Sequence, residues 1–503
     1  MNDNSLLTLC LPELTLVLAA MLLMAITLGY RARYGTEISA TATVMGAVLG
    51  LSVAAACLVF QPMTTANSVW LEHSAYSQIL SGLVLVSAIP AVLLLPAPKE
   101  ISHPGEFHAL ILFSITGLLF ALRAQHLLLL FVSLELASLT LYLLAGFSRT
   151  ANAAEASMKF FLFGAVSAAF MLFGISLLYG YSKDLGYIAL QEAGKHGVLP
   201  AFAVAGLLML LVGFFFKLAA APFHAWSPDV YQGAPVSTVT LIAGISKIAT
   251  VAILARLLTQ AFGAAQGSAA WGDIRQGWSL WLCFPALLSL VVGTLLALAQ
   301  THVRRLIAYS AIANMGYILL GLLAGSPQAQ AATLYYVVVY GLASTGALAV
   351  TAAIERSQGS DTLDAFRGLS DRAPGQAIAL LICMTSLAGL PPLAGFMGKF
   401  AIFSATMASH PGTGVLPSHT WLVVPAAIAS AVSLYYYLRI LKASFTPLTP
   451  QSSPASSIVR HALPIAHTMA IGIPAFLLLI LGLFPSLLLG AIDLAIGHPF
   501  SQR

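Results

Sequence analysis

The sequence predicts an all-α, polytopic membrane protein of about 14 transmembrane helices. Three observations predict it. Of 503 residues, 59% are apolar and only 8% are Asp, Glu, Lys or Arg, where an average soluble domain carries roughly 25% charged residues. The mean hydropathy is +0.92. Apolar runs of about 20 residues, long enough to cross a bilayer, occupy nearly the whole length. A soluble chain of this size could not cover itself with 22 basic and 17 acidic side chains. A soluble enzyme, a DNA-binding protein and a disordered regulator are excluded together.

The spans fall at 9–30, 38–60, 75–95, 106–123, 125–147, 157–181, 199–226, 231–257, 277–300, 303–325, 329–355, 375–408, 416–443 and 466–494. The first is expected to remain as a membrane helix rather than a cleaved leader. No basic residue precedes it, Glu13 interrupts it, and Arg31 and Arg33 follow it as a stop-transfer flank.

Orientation is read from Lys and Arg in the connections. Loops after odd-numbered spans hold Arg31, Arg33, Lys99, Arg149, Arg304, Arg305, Arg356, Arg367, Arg372, Arg439, Lys442 and Arg460. The opposite side holds Arg123, Lys183, Lys195, Arg256, Arg275 and Arg503. The odd loops are therefore expected in the cytoplasm and both termini outside.

Two spans are unsuited to plain helices. The seventh carries Pro222 and Pro228 around His224. The twelfth is too long and contains Pro391-Pro392 between Gly389 and Gly395. Proline removes a backbone donor and clashes with the preceding turn. A helix broken at membrane depth is tolerated where protein or water covers it, and is a common mark of an ion path. The breaks lie five spans apart. Five is odd, so spans four to eight (106–257) and nine to thirteen (277–443) would form two inverted repeats within a single membrane domain.

Four charges stand out deep within spans: Glu135 in the fifth, Lys217 in the seventh, Lys247 in the eighth and Lys399 after the second break. Each costs roughly 2.5–3.5 kcal/mol to place at a helix centre. Structural ion pairing is one explanation, but one Glu cannot neutralise three lysines. A proton relay is the other. Burial disfavours a charged ammonium and a carboxylate restores it, so a moving or titrating Glu would toggle a Lys. Lys159 has Glu155 four residues before it, which fits an i,i+4 pair with a snorkelling stem. His224 would either shuttle protons or cap loose carbonyls. His126 and His302 sit at span ends, as interfacial residues do, and Tyr435-Tyr436-Tyr437 reads as packing or an aromatic belt.

Cys10, Cys57, Cys283 and Cys383 each stand alone in apolar surroundings. Without a C-x-x-C spacing the chain is expected to hold no iron–sulfur cluster or structural zinc. There is no Walker loop, no G-x-G-x-x-G after a strand and no H-E-x-x-H. No basic run exceeds Arg304-Arg305 despite the net charge of +5, so nucleic acid is not an expected partner. Energy must come from an ion gradient or a partner subunit.

The run from Phe216-Lys217 through Pro222-Phe223-His224-Ala225-Trp226-Ser227-Pro228-Asp229-Val230-Tyr231-Gln232-Gly233-Ala234-Pro235 resembles the subunit N family of bacterial NADH–quinone oxidoreductase, respiratory complex I. Lys159 to Ala165, Arg304 to Ile312, Asp364 to Leu369 and Leu387 to Lys399 agree, so the resemblance covers spans four to thirteen. The Asp229 to Pro235 run and Lys399 favour N over the sister subunit M, whose twelfth helix usually carries Glu. With the fourteenth span the last one read, the long lateral helix of subunit L is not expected.

The resemblance implies a proton-translocating membrane-arm subunit in the bacterial inner membrane. Its partners would be the antiporter-like subunits L and M, small membrane subunits, the lipid bilayer and the hydrophilic NADH-oxidising arm. No cofactor is expected in this chain; FMN, iron–sulfur clusters and quinone would bind in partner subunits. Glu135 would pair with Lys217, Lys247 would link the inlet half-channel to Lys399, and Lys159 would join the relay. One departure stands out: related chains usually carry His where this one has Asn314, which hydrogen-bonds water but does not titrate. A Mrp-type cation/proton antiporter subunit and a non-pumping structural subunit are the competing readings.

Overall fold

The computed structural model describes residues 8–61, 66–67, 69–94, 101–195, 199–409, 419–447 and 464–497. Lys99, Arg460 and Arg503 of the loop count lie outside the described residues. Thirteen described helices are long and apolar enough to cross a membrane. They are α1 (Leu11–Tyr34), α2 (Ala40–Phe60), α3 (Ala75–Leu93), α4 (Pro104–Arg123), α5 (Leu127–Ala145), α6 (Ala151–Ser182), α7 (Ala201–Leu218), α8 (Val236–Ala261), α9 (Trp278–Leu298), α10 (Val303–Leu323), α11 (Pro327–Gln358), α13 (Thr420–Phe445) and α14 (Ile465–Leu483). The twelfth span is two half-helices, α12a (Pro374–Ala388) and α12b (Ala394–Ala408). Two short antiparallel hairpins, Ala66–Asn67 with Glu72–His73 and Ser268–Ala270 with Asp273–Arg275, complete the described strands.

Local chemistry sets the helix ends. Ser39, Ser74, Thr150 and Ser326 cap the starts of α2, α3, α6 and α11 by accepting a backbone N–H. Left-handed residues stop others: Gly35 after α1 and Gly359 after α11. The seventh span is interrupted as expected, and the bounds of the seventh, eighth and fourteenth differ from those read in the sequence. The seventh stops at Leu218, and Ser227–Gly233 forms a separate short helix. Pro228 therefore starts a helix rather than breaking one, in the first turn where its missing N–H is harmless. The eighth span begins only after Pro235. The fourteenth is interrupted at Pro485, with Ser486–Ile496 following as its own helix.

Helices α8, α10 and α11 are almost wholly buried by their neighbours and form the centre of the molecule. Helix α4 packs on α5, α6 on α7, α9 on α10, and α11 on α12a, α12b and α14. Glycine brings two of these pairs close. A Cβ on Gly117 of α4 would lie 2.7 Å from the Ser133 carbonyl and 2.8 Å from the Ala137 nitrogen of α5. One on Gly293 of α9 would lie 2.8 Å from the Tyr309 carbonyl and 2.3 Å from the Ala313 nitrogen of α10. Small residues permit such backbone contact between membrane helices.

Several cations read as loop charges are buried at helix ends. Arg123 pairs with Glu13 at 2.9 Å, each side chain 1% exposed. Arg256 pairs with Glu72 and donates to the Leu122 carbonyl at 2.8 Å. Glu13 belongs to α1 and Arg123 to α4, so the pair ties the amino-terminal helices to the rest. Removing one partner would leave a charge buried and unpaired.

The α9–α10 crossing gives a stability prediction. Gly293→Val places atoms where the α10 backbone stands, and overpacking of this kind costs about 1–3 kcal/mol. The variant is expected to lower the thermal midpoint of the purified protein; an unchanged midpoint would show that the two helices separate freely.

Candidate functional site

The buried lysines follow from how the central helices are built. Helix α7 ends one residue past Lys217 because Ala219 adopts a left-handed φ of 55°. The Ala219 and Ala220 N–H groups turn back to the Phe216 and Phe215 carbonyls at 2.9 Å each. The chain then turns through Pro222 and is held by Trp226, whose indole N–H donates to the Phe216 carbonyl at 3.2 Å, and by Ser289 of α9, which accepts from the Ala221 N–H at 2.8 Å. The second break has the same plan. Gly389, with φ 83°, ends α12a three residues before Pro392, as Ala219 ends α7 three residues before Pro222. The Ala221–Pro222 and Pro391–Pro392 bonds are both cis.

Lys217 and Glu135 meet as expected. The ammonium donates to Glu135 Oε1 at 3.3 Å, to Ser138 Oγ at 2.6 Å and to the Leu134 carbonyl at 3.4 Å. Ser138 was not anticipated, although it stands one helical turn from Glu135 on α5. A cavity of about 20 Å³ lies beside Lys217, lined by Ser138, Tyr142, Trp226, Ser246 and Thr250 among others. That is room for about one water molecule. Ser246 and Thr250 belong to α8, so the cavity opens from Lys217 toward the helix that carries Lys247.

Lys247 follows directly on a π-helical stretch, Leu241–Ser246. Such bulges are frequent at functional sites. Here Gly244 lies against α11, where a Cβ would come 3.0 Å from Thr345 Oγ1 and 3.2 Å from the Gly341 carbonyl. Lys247 is fully buried. Its ammonium donates to the Tyr340 hydroxyl at 3.5 Å and lies 5.4 Å from that ring's centre. Among the described residues no carboxylate pairs with it.

Lys399 lies in α12b and reaches back to the break. Its ammonium donates to the Leu387 and Ala388 carbonyls at 3.1 and 3.2 Å, the acceptors left over where α12a ends. It also donates to Ser430 Oγ at 3.2 Å and sits 4.9 Å from the centre of the Tyr317 ring. Lys399 too has no carboxylate partner among the described residues. The break supplies an open set of carbonyl dipoles, and the lysine fills it.

Asn314 of α10 is bonded to α11 and α13, the helices whose Tyr340 and Ser430 hold Lys247 and Lys399. Its Oδ1 accepts from the Tyr336 hydroxyl at 2.6 Å, and its Nδ2 donates to the Ser310 carbonyl at 2.8 Å and the Tyr437 hydroxyl at 3.3 Å. The triple tyrosine is thus divided: Tyr436 and Tyr437 are buried and only Tyr435 is exposed.

Lys159 is not in this group. It forms the expected pair with Glu155 at 2.7 Å and also reaches Asp229 at 2.6 Å, in the segment after the first break. Asp229 in turn pairs with Arg305 of α10 at 2.7 Å. Phe160 stacks on Trp226 at 4.3 Å between this cluster and Lys217. Arg304 donates to the Tyr231 carbonyl at 2.6 Å and pairs with Glu355 at 3.2 Å. His224 is half-buried in the turn, and among the described residues no hydrogen bond joins its ring to Lys217. His302 stands at the start of α10, partly exposed, with its ring 2.6 Å from Asp361.

Comparison with known proteins places this arrangement. Residues 124–424 match the family model described as NADH:quinone oxidoreductase/Mrp antiporter, transmembrane region. The chain is 40% identical over 97% of its length to NADH-quinone oxidoreductase subunit N 2 of Acidobacterium capsulatum, of which it covers 98%. It is 33% identical over 95% of its length to NADH-quinone oxidoreductase subunit N of Laribacter hongkongensis, covering 94% of that protein. Among solved structures, a chain of respiratory complex I from Thermus thermophilus with bound aureothin aligns over 96% of this chain and 99% of its own, at 33% identity and a TM-score of 0.76. A chain of the Mrp complex from Dietzia sp. DQ12-45-1b aligns over 97% of this chain and 98% of its own, with a TM-score of 0.79 but 18% identity, a likeness of fold.

Proposed function

The chain belongs to the membrane-subunit family shared by NADH:quinone oxidoreductase and Mrp antiporters, and from that premise we propose that it is a proton-translocating membrane-arm subunit of NADH–quinone oxidoreductase. The relatives of 33–40% identity over nearly the whole chain are subunits N of that enzyme, whereas the Mrp likeness is one of fold. NADH oxidation, with its FMN and iron–sulfur clusters, and quinone reduction belong to partner subunits. The chain sits in the bacterial inner membrane beside the antiporter-like subunits L and M and the small membrane subunits, with both termini periplasmic.

One observation carries the reading. Two fully buried lysines, Lys247 and Lys399, lie on the far side of a Lys217–Glu135 pair and have hydroxyls and carbonyls where fixed ion pairs would have carboxylates. A purely structural cation would be matched by an anion, as Arg123 is by Glu13. A lysine held by neutral acceptors can lose its proton without abandoning a counter-ion.

The relay runs through the membrane centre. Glu135 holds the proton on Lys217; when Glu135 is displaced or protonated, the ammonium loses its anion and the proton leaves through the small polar cavity toward Lys247. From Lys247 it passes to Lys399, whose carbonyl cradle at the second break opens to the outer side. Lys159 and Asp229 gather protons at the cytoplasmic boundary, with His224 beside the first break. The two halves, 106–257 and 277–443, are inverted repeats. The shared left-handed residue before Pro222 and Pro392 supports this. So does the common spacing of Gly117 to Ala137 and Gly293 to Ala313, which places Ser138 and Asn314 at matching positions.

Three variants test the relay, read as protons moved per NADH oxidised by the assembled complex in sealed vesicles. Lys217→Arg is expected to abolish this subunit's share as fully as Lys217→Ala, because arginine does not release its proton in a protein; normal output from the Arg variant would make Lys217 a fixed charge. Glu135→Gln keeps shape but loses a charge-assisted bond worth about 1.5–3 kcal/mol, so the equilibrium constant for holding the proton on Lys217 falls about tenfold or more and output drops while assembly persists. Full output from that variant would dissolve the pairing. Lys399→Ala is expected to assemble, slow quinone reduction and lower proton output, with Lys399→Glu a poor substitute. An unchanged proton yield with Ala at 399 would place the exit elsewhere.

A further inference from the structure

Asn314 is a buried residue that cannot titrate, bonded to tyrosines on α11 and α13, the helices whose Tyr340 and Ser430 hold the two lysines of the relay proposed above. Its hydrogen bonds answer what it does there. Its amide orientation is fixed by one contact: the Ser310 carbonyl, 2.8 Å away, can only accept, so the group facing it is the NH₂. The amide oxygen is then the atom that faces Tyr336, at 2.6 Å, and it can only accept. The Tyr336 hydroxyl must therefore spend its proton on Asn314. Toward Lys247 it has only lone pairs. On the other side the second amide hydrogen points to the Tyr437 oxygen at 3.3 Å. Tyr437 accepts there, and its own proton is left to be donated onward.

The same sense continues on both sides. Lys247 donates to Tyr340, which stands one helical turn from Tyr336 on α11. Tyr437 and Ser430 stand two turns apart on α13, and Ser430 touches Lys399 at 3.2 Å. The Tyr336 ring also packs edge-on against the Tyr317 ring that lies under Lys399, with centroids 6.4 Å apart. Tyr336, Tyr340, Tyr437 and Asn314 are all buried, so bulk water does not randomise these bonds.

We propose that Tyr336 and Tyr437 are proton-carrying residues between Lys247 and Lys399, and that Asn314 is a positioning residue that sets their polarity for transfer from Lys247 toward Lys399. The step balances as a proton hop. An N–H bond of the Lys247 ammonium breaks as an O–H bond forms on Tyr340; Tyr340 gives up its own proton toward Tyr336, and Tyr336 and Tyr437 each gain one proton and release one in turn. A bridging water carries the proton past the amide, and an N–H bond forms on the neutral Lys399 amine. No electrons move. After the hop the hydroxyls point the wrong way. The Ser310 carbonyl still pins the amide, so Tyr336 regains its bond only by turning its proton back toward Asn314. The amide thus resets the path and opposes return.

The proposal rests on the lysine relay, and the experiment separates the two. In assembled complex in sealed vesicles, protons per NADH are measured for Tyr336→Phe, Tyr437→Phe and Lys247→Ala, with NADH oxidation as the control for assembly. Both Phe variants are expected to fall to the level of Lys247→Ala. If they pump as wild type while Lys247→Ala does not, the tyrosine path is wrong and the relay stands. If Lys247→Ala also pumps as wild type, the relay itself has failed and the proposal with it. Asn314→His supplies a second readout that packing alone would not move. Imidazole titrates where an amide cannot, so the proton yield of this variant is expected to show a pH-dependent break that wild type lacks. A yield that follows the wild-type pH profile overturns the role of Asn314, even where a Phe variant does not assemble.

Discussion

A lysine ammonium surrounded by hydrocarbon must find its stabilisation within a few ångströms, and the organisation of this molecule follows from how three of them do so. Lys217 has an anion, Glu135 at 3.3 Å, and a hydroxyl, Ser138 at 2.6 Å. Lys247 has a phenol. Lys399 has two backbone carbonyls and a serine. Stabilisation therefore passes from a full counter-charge to dipoles along the central helices. Where only dipoles oppose desolvation, the neutral and charged forms come closer in free energy, and a proton can be passed on.

The helix breaks are part of the same constraint. A continuous twelfth helix would bond the Leu387 and Ala388 carbonyls to its own later N–H groups. The break at Gly389 to Leu393 releases them, and Lys399 takes them up. At the first break the released groups are met differently, by the Trp226 indole and Ser289, which leaves Lys217 free to face Glu135. The Gly117 and Gly293 crossings hold the helices carrying Ser138 and Asn314 close enough for these short contacts. Away from the relay the chain uses ordinary buried pairs, such as Arg123 with Glu13 and Arg304 with Glu355.

Nearly all of the fold was legible because a bilayer permits so few backbone solutions. Apolar length located the spans, and proline with glycine located the interruptions, apart from Pro485 in the last span. The buried charges were legible because each is expensive and hence conspicuous. Their partners were less so. Glu135 and Lys217 lie 82 positions apart, and Lys159 and Asp229 lie 70 apart, distances over which spacing carries no signal. The tyrosines were hidden for another reason. A phenol costs little in an apolar helix, so Tyr437 read as packing or belt and Tyr336 and Tyr340 were not singled out; the geometry puts their hydroxyls on Asn314 and Lys247. The loop arginines misled in the opposite direction: Arg123, Arg256 and Arg304 mark helix ends, yet are buried there in ion pairs.

The central claim is that Lys247 changes its charge during turnover although, among the described residues, no carboxylate pairs with it. The direct measurement is the number of protons moved per NADH oxidised by complex carrying Lys247→Arg, in sealed vesicles, beside the rate of NADH oxidation. Arginine keeps the positive charge and donates to Tyr340 but does not release a proton. A reduced proton yield from an assembled, NADH-oxidising complex is the result predicted. A wild-type yield would show that the charge at position 247 is fixed, and would contradict the account.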